Sequence, residues 1–361
     1  MLAVTLVGLA LRLYRLGYPE LRGDEAFGLL FSAQAIPEIV TQTLQNLEPH
    51  PPLDYVLLHF WTGIAGNSEW AARFTALCAG VLAIPFIFLL GKILDSPQTG
   101  IWTAALVALN PFQLWHAQEA RMYAISMTLG LAGSVALLLA IHRRRNRYWT
   151  AFVLLSALNA YTHYYALFIL VAQGLYWLVW WRRRRQWRAW ITSQAAILLL
   201  YLPWLAVGWR VITAYRGNGD SPGFAEMMRR WVIAFSVGQT FPADRAVYAM
   251  AVFLIVFHVG LIYLARGNRE GEVFLIMYLT VPILAVWLAS LQRPVFDERY
   301  LIAASPPFYL LAGLGLVGLP RLLGGWARTV SVALALGLVG LSLYPTYNYF
   351  FDPEHTRNRG W

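Results

Sequence analysis

The chain has 361 residues, 59% of them hydrophobic and 13% charged, against about 25% charged in an ordinary globular protein. Its mean hydropathy is +0.53 and aromatic residues make up 15%, enough to line two membrane interfaces. This excludes a soluble globular protein, a disordered chain, a disulfide scaffold and a collagen-like fold, and predicts an integral membrane protein with many spans. The formal net charge is +10, from 28 Lys and Arg against 18 Asp and Glu. It is read against membrane topology rather than nucleic acid. Lys92 is the single lysine. Cys78, the one cysteine, lies in an apolar run and has no partner for a disulfide within the chain.

A span needs about 20 mostly apolar residues. In chain order that window selects eleven, at 2–17, 69–91, 99–116, 122–141, 148–162, 164–181, 190–208, 246–265, 273–291, 300–319 and 327–345. The apolar start, Met1–Leu11, lacks the basic flank and small-residue site of a cleavable signal and is read as the first span. The stretch 51–66 is a candidate twelfth. Four arginines in His142–Arg147, five in Arg182–Arg188, and Arg266, Arg269, Arg321 and Arg328 all fall on one side of this scheme. Short basic loops stay cytoplasmic, so the N-terminus is expected inside and the C-terminus outside. The buried polar candidates within the spans are His258 and Asn159. The sequence shows no internal repeat, Gly-rich phosphate loop or zinc-type Cys/His spacing.

Polar residues concentrate outside. The first outer segment, 18–68, holds Gly23-Asp24-Glu25-Ala26, with a helix expected over Ala26–Ile36. Adjacent carboxylates diverge, and Asp24 falls at or before the N-terminus of that helix. It reads either as a helix cap or as a functional acid presented beside backbone N–H groups. Next comes Glu48-Pro49-His50-Pro51-Pro52-Leu53. Prolines on both sides stiffen the backbone at His50 and Pro52 can open a helix. The helix Leu53–Gly66 is short for a span and is read as interfacial. His50 is either a turn histidine or a donor to a phosphate or metal.

Gln118-Glu119-Ala120-Arg121-Met122-Tyr123 lies at an outer boundary after Asn110-Pro111-Phe112. Glu119 and Arg121, two apart, do not share a helix face and are expected to reach different partners. Arg121 either snorkels to headgroups or holds a phosphate bidentately. His163-Tyr164-Tyr165 begins the sixth span and reads first as an aromatic belt. A second long outer segment, 209–245, contains the flexible Gly217–Gly223 loop, and Asp297-Glu298-Arg299-Tyr300 opens the tenth span. His50, Arg121 and Arg299 are thus cationic or protonatable groups, and Asp24, Glu25 and Glu119 acids, at one outer level. That set suits a membrane-held phosphate and a nucleophile that needs a base.

Leu11-Arg-Leu-Tyr-Arg-Leu-Gly, Gly23-Asp24-Glu25-Ala26, His50-Pro51-Pro52-Leu53, Ser68-Glu69-Trp70-Ala71-Ala72-Arg73, Asn110-Pro111-Phe112, Gln118–Ala124 and Arg299-Tyr300-Leu301 follow in order. Together they resemble the bacterial branch of the protein O-mannosyltransferase and aminoarabinose transferase superfamily, polytopic GT-C glycosyltransferases of family 39 or its relatives. The resemblance runs from about residue 9 to the end. It implies an all-α GT-C bundle of about eleven spans, and an inverting enzyme of the bacterial inner membrane. That enzyme would use a polyprenyl-phosphate-linked sugar on the periplasmic face. By it, Asp24 is the base candidate, with Glu25 and Glu119 the other acids. His50, in a position held by lysine in aminoarabinose transferases, and Arg121 and Arg299 would bind the phosphate, with Tyr123, His163 and Tyr300 beside them. No cofactor is implied with certainty and a divalent metal stays open. The expected partners are the lipid-linked donor, membrane lipids and an unidentified acceptor, and no nucleic acid. Longer relatives continue past a Trp-Arg-Gly-like motif into an outer soluble domain, whereas this sequence stops at Asn358-Arg359-Gly360-Trp361. The expected alternatives are a flippase for a lipid-linked sugar and an O-antigen ligase or polymerase.

Overall fold

The computed structural model describes residues 1–45, 48–180, 186–217 and 219–353. The arginines at 182–185, Asn218 of the flexible loop and the terminal Asn358–Trp361 lie outside the described residues.

The chain folds into helices α1 (Leu2–Leu13), α2 (Gly23–Ser32), α3 (Ile36–Leu44), α4 (Leu53–Ala65), α5 (Glu69–Leu94), α6 (Pro97–Leu109), α7 (Pro111–Ala117) and α8 (Tyr123–Arg143). There follow α9 (Asn146–Thr162), α10 (Ala166–Trp180), α11 (Trp187–Ala214), α12 (Phe224–Val237), α13 (Ala243–Gly267) and α14 (Arg269–Ser290), then a 3-10 helix, Glu298–Ala304, before α15 (Pro306–Leu323) and α16 (Ala327–Phe351). Among the described residues the one β-type pairing is an antiparallel bridge between Asp220 and Phe296. Each of the eleven expected spans coincides with a helix. Among the described residues seven helices, α5, α8, α11 and α13 to α16, are long and apolar enough to cross a membrane. α1 and α10 are apolar but shorter.

Two expected spans are broken, both by proline. The stretch 99–116 splits at Asn110-Pro111. Asn110 leaves the helical conformation with ψ of 128° and caps α7, its Oδ1 accepting from Phe112 N and Gln113 N. Pro111 has no N–H for the carbonyl of Val107, and the Phe112 N–H is already bound to the cap. The freed carbonyls of Val107 and Ala108 are satisfied by Arg12 of α1, whose Nη2 and Nη1 donate to them at 3.1 and 3.0 Å. Arg12 is completely buried. The stretch 300–319 divides at Ser305-Pro306, where Ser305 keeps helical dihedrals and makes no side-chain cap, leaving the 3-10 turn that carries Arg299 as a separate piece.

α8 and α15 are the innermost helices, with α5 and α6 packed against them. α13 meets α15 with no room for a side chain between. A Cβ at Gly260 would sit 1.9 Å from the Leu311 carbonyl oxygen, and one at Gly315 1.9 Å from that of Val256. Small residues allow this close backbone approach where no water drives helices together. His258 faces outward, with Nδ1 2.7 Å from Leu254 O, and is not a buried group as the sequence suggested. Asn159 is buried and hydrogen bonded to Ser126 Oγ, 2.8 Å away.

α4 has 13 residues, about 20 Å of rise, which is too short for a hydrocarbon core of about 30 Å. It packs with α2, α3 and the start of α5 to form a cap at one end of the bundle. The segment after α11 closes the other side. Gly219 N donates to Pro294 O at 2.7 Å and Asp220 N to Phe296 O at 2.8 Å. Gly217 has φ of +93° and a Cβ there would lie 2.3 Å from Pro294 O, so glycine is required for this approach. Arg230 of α12 then joins Asp220 and Glu298 at 2.7 and 2.5 Å, tying the loop to the turn that holds Arg299.

Candidate active site

The first-loop acids diverge as adjacent residues must. Glu25, at the third position of α2, turns inward. Its Oε2 accepts from Arg22 N at 3.0 Å, closing the helix N-terminus, and its Oε1 from Ala120 N at 2.8 Å. Arg73 of α5 clasps both oxygens, Nε and Nη2 each at 2.9 Å. The same guanidinium holds the carbonyls of Leu16, Pro19 and Glu20 at 2.8 to 3.0 Å. Both side chains are buried. Glu25 therefore fastens the first loop to α5 and to the turn before α8. Its two oxygens are met by four N–H donors, Arg22 among them, the first of the two partners, Arg22 or a metal, that its divergence from Asp24 allows.

Asp24 points the other way and stays about one-third exposed, its Oδ2 3.1 Å from Arg299 Nη1. Arg299 is brought there by the 3-10 turn, where Asp297 caps its backbone N at 3.0 Å and stands 3.2 Å from its Nε. The guanidinium also lies 3.8 Å from Glu119 Oε1 and about 5.5 Å from the ring centres of Tyr123 and Tyr300. Burial, which would lower its pKa, is outweighed by these phenols and carboxylates, so Arg299 is raised above the ordinary arginine value.

Glu119 and Arg121 reach different partners, as their spacing predicts. Glu119 is buried and bound by His116 Nδ1 at 2.6 Å, with Arg22 Nη1 at 3.5 Å. Burial alone would raise its carboxyl. The His116 hydrogen bond and the charges of His116, Arg22 and Arg299 outweigh it and bring it down to about 2. Arg121 faces the opposite wall, where Nη1 meets Tyr55 Oη at 3.1 Å and Asp24 O at 3.4 Å, and Nη2 lies 3.4 Å from His50 Nδ1. His50 makes a short hydrogen bond to Glu48 Oε1. Burial lowers its pKa, and Arg121 and Arg299 lower it further against the pull of Glu48. Asp54 of α4 is buried beside Arg121, and burial pushes it up to about 6.

Asp24, Glu48, His50, Arg121, Tyr123 and Arg299 are among the residues that line one cavity of about 290 Å³. His163 stands next to it, its ring centre 5.8 to 5.9 Å from those of His50, Tyr123 and Tyr300. Of the sequence candidates, Asp24, His50, Arg121, Tyr123, Arg299 and Tyr300 line this cavity, Glu119 and His163 lie against residues that do, and Glu25 is turned away from it. Sequence reasoning missed the roles of Arg73, His116, Glu48, Asp54 and Tyr55. His116 had a signal, three residues before Glu119 across a helix end. Arg73 and Glu48 stand inside the recognised motifs; the partner of Arg73 is 48 residues away, whereas Glu48 meets His50 two residues on, a pair the local sequence offered. Among the described residues no three His, Cys, Asp or Glu side chains converge to hold a metal ion. The carboxylates of Asp24 and Glu119 already share the Arg299 cation, so the residues present do not fit a divalent ion and no step is derived through one.

The fold is that of the GT-C membrane glycosyltransferases. ArnT from Cupriavidus metallidurans in its apo state superposes with a TM-score of 0.67 at 14% identity, over 96% of this chain and 76% of that one. ArnT bound to undecaprenyl phosphate gives 0.65 at 16%, over 93% and 62%. The oligosaccharyltransferase of Archaeoglobus fulgidus, in a complex with Zn and sulfate, gives 0.63 at 15%, over 96% of this chain and 52% of that protein. Within the chain, residues 49–209 match the family model of dolichyl-phosphate-mannose-protein mannosyltransferases. No curated protein sequence matches the chain.

Proposed function

We propose that this protein is a membrane glycosyltransferase that moves a hexosyl or pentosyl group from a polyprenyl-phosphate donor to an acceptor hydroxyl by a single, inverting displacement. The observation that carries this reading is the Asp24–Arg299 contact of 3.1 Å in a cavity shared with Arg121. In the free protein Arg299 neutralises Asp24. A phosphate seated between Arg299 and Arg121 takes over that cation and releases the carboxylate. Asp24 then accepts the acceptor's O–H proton while the oxygen attacks C1 of the sugar. The C1–O bond breaks, and its electron pair leaves on the phosphate, whose growing charge the two guanidiniums stabilise in a partly dry site. His50, bound through Nδ1 to Glu48, presents Nε2 and binds phosphate as a donor once protonated. Glu119 stays anionic and holds Arg299 in place.

The site is read as lying on the periplasmic face of the bacterial inner membrane. In support, α8 starts at Tyr123 beside Arg121 and ends 21 residues later at the arginine-rich His142–Arg147, about 30 Å away, one membrane thickness. The acceptor is a lipid, a glycan or a protein.

Asp24→Asn keeps the size of the side chain and removes the proton acceptor. In a purified transfer assay it is expected to cut turnover by about 10²–10⁴-fold with donor binding retained. Near-wild-type turnover in this variant would sink the assignment of Asp24 as base.

A further inference from the structure

A second cavity of about 280 Å³ opens beside the phosphate site and shares Pro49, His50, Tyr215 and Tyr300 with it. Its wall is aromatic, with His163 and Tyr165 added to those tyrosines, and Gln292 and Arg293 at its edge. Among the described residues no aspartate or glutamate lines it. One polar atom here has no use inside the protein. His163 is about 94% buried (relative exposure 6%), and its Nδ1 accepts the backbone N–H of Tyr165 at 3.1 Å. That bond occupies the Nδ1 lone pair and puts the ring proton on Nε2, which is buried without a hydrogen-bond partner. Burial, and the nearby His50, Arg121 and Arg299, hold the imidazole well below its ordinary pKa. His163 is therefore a single, fixed N–H donor awaiting an acceptor.

An isoprenoid tail carries no acceptor and would leave this donor buried and unmet, an unfavourable arrangement. A sugar ring has both features the pocket asks for. Its C–H faces pack on aromatic rings and its oxygens accept hydrogen bonds. An ammonium group on the ring would meet Arg293 at the edge and, among the described residues, no carboxylate on the wall. The acids of the adjoining site, Asp24, Asp297 and Glu48, are held by Arg299 and His50, so the placement is unfavourable for a second cation.

Resting on the glycosyltransferase reading above, we propose that this pocket is the donor-sugar subsite, that His163 Nε2–H binds a ring or hydroxyl oxygen, and that the pocket selects an uncharged sugar over a cationic amino sugar.

The test measures binding of three probes to the purified protein: undecaprenyl phosphate, undecaprenyl-phosphate hexose, and the same donor with a primary amine on its ring. The wild type is expected to bind the hexose donor more tightly than the bare lipid, and the amino-sugar donor no more tightly than the bare lipid. His163→Phe keeps the aromatic wall and removes the donor. It should weaken the hexose donor by about 3- to 10-fold, the worth of one neutral hydrogen bond, and leave undecaprenyl phosphate unchanged. His163→Asn, which keeps an N–H donor, should recover part of the loss. Equal weakening of both lipids by His163→Phe overturns the proposal, as does unchanged hexose-donor affinity or tight binding of the amino-sugar donor. Failure of the wild type to bind undecaprenyl phosphate at all overturns the glycosyltransferase reading and this proposal with it. Binding of the bare lipid with no dependence on His163 overturns the sugar subsite alone.

Discussion

Glu25→Gln separates structure from chemistry at the first loop. Glu25 collects four N–H donors, two from Arg73 and one each from Arg22 N and Ala120 N. Glutamine offers one carbonyl oxygen, so its amide N–H₂ group must face at least one of those donors. It also removes the charge that balances Arg73, itself buried. Breaking a buried pair from one side costs about 3–5 kcal/mol. Three backbone carbonyls remain on Arg73, which places the expected loss near about 3 kcal/mol. Thermal unfolding in detergent should therefore show a clear drop for Glu25→Gln. Asp24→Asn should shift little, because an exposed ion pair is worth at most about 1 kcal/mol. Activity, measured well below the melting temperature, should fall steeply for Asp24→Asn and modestly for Glu25→Gln. A Glu25→Gln protein of wild-type stability that has lost turnover would refute this division of roles and make Glu25 the base.

Four further outcomes are expected. Arg121→Ala and Arg299→Ala should each weaken undecaprenyl phosphate binding, since truncating one partner of a buried charge pair costs about 2–5 kcal/mol. Lysine should rescue only in part because the guanidinium fork is lost, and unchanged affinity in both alanine variants would remove them from the phosphate site. Glu119, depressed from 4.5 to about 2, contributes stability that is complete above its unfolded pKa and is lost as pH falls toward 2. Glu119→Gln should flatten the acid limb of stability against pH, and an unaltered limb would contradict the pairing with His116. Arg12→Met should destabilise the fold by leaving the Val107 and Ala108 carbonyls unmet, about 1–3 kcal/mol for each buried orphan, and unchanged unfolding would show that other groups satisfy them. In a Cys78→Ala background, Cys at Asn146 should resist an impermeant thiol reagent added outside cells while Cys at the exposed Arg245 should react, and the reverse labelling would invert the topology.

Much of the site was legible because membrane proteins place charge sparingly. A carboxylate pair after a glycine, a proline-framed histidine and arginines at span ends are conspicuous in a chain that is 13% charged. Their divergence, Asp24 outward and Glu25 inward, followed from adjacent residues pointing apart. What those side chains meet was not legible. Arg73 lies 48 residues from Glu25 and Arg299 275 residues from Asp24, and no local period encodes such pairs. The breaks at Asn110 and Ser305 were missed for a different reason. A hydropathy window sums apolarity and is blind to a missing N–H. The Asn-Pro and Ser-Pro steps, a cap residue followed by proline at the first helical position, were the available signal at both breaks.

The Arg12 contact with the α6 carbonyls has a consequence for biogenesis. α1 is made before α6 and carries Arg12 in its last turn, where a lone helix can hold the guanidinium at the interface. The groups that solvate it, at Val107 and Ala108, are made 95 and 96 residues later. Those carbonyls are in turn unfit for lipid until Arg12 covers them. The seating of α1 is thus completed only when α6 is present, as the guanidinium leaves the interface for the Val107 and Ala108 carbonyls and each helix satisfies polar groups the other cannot.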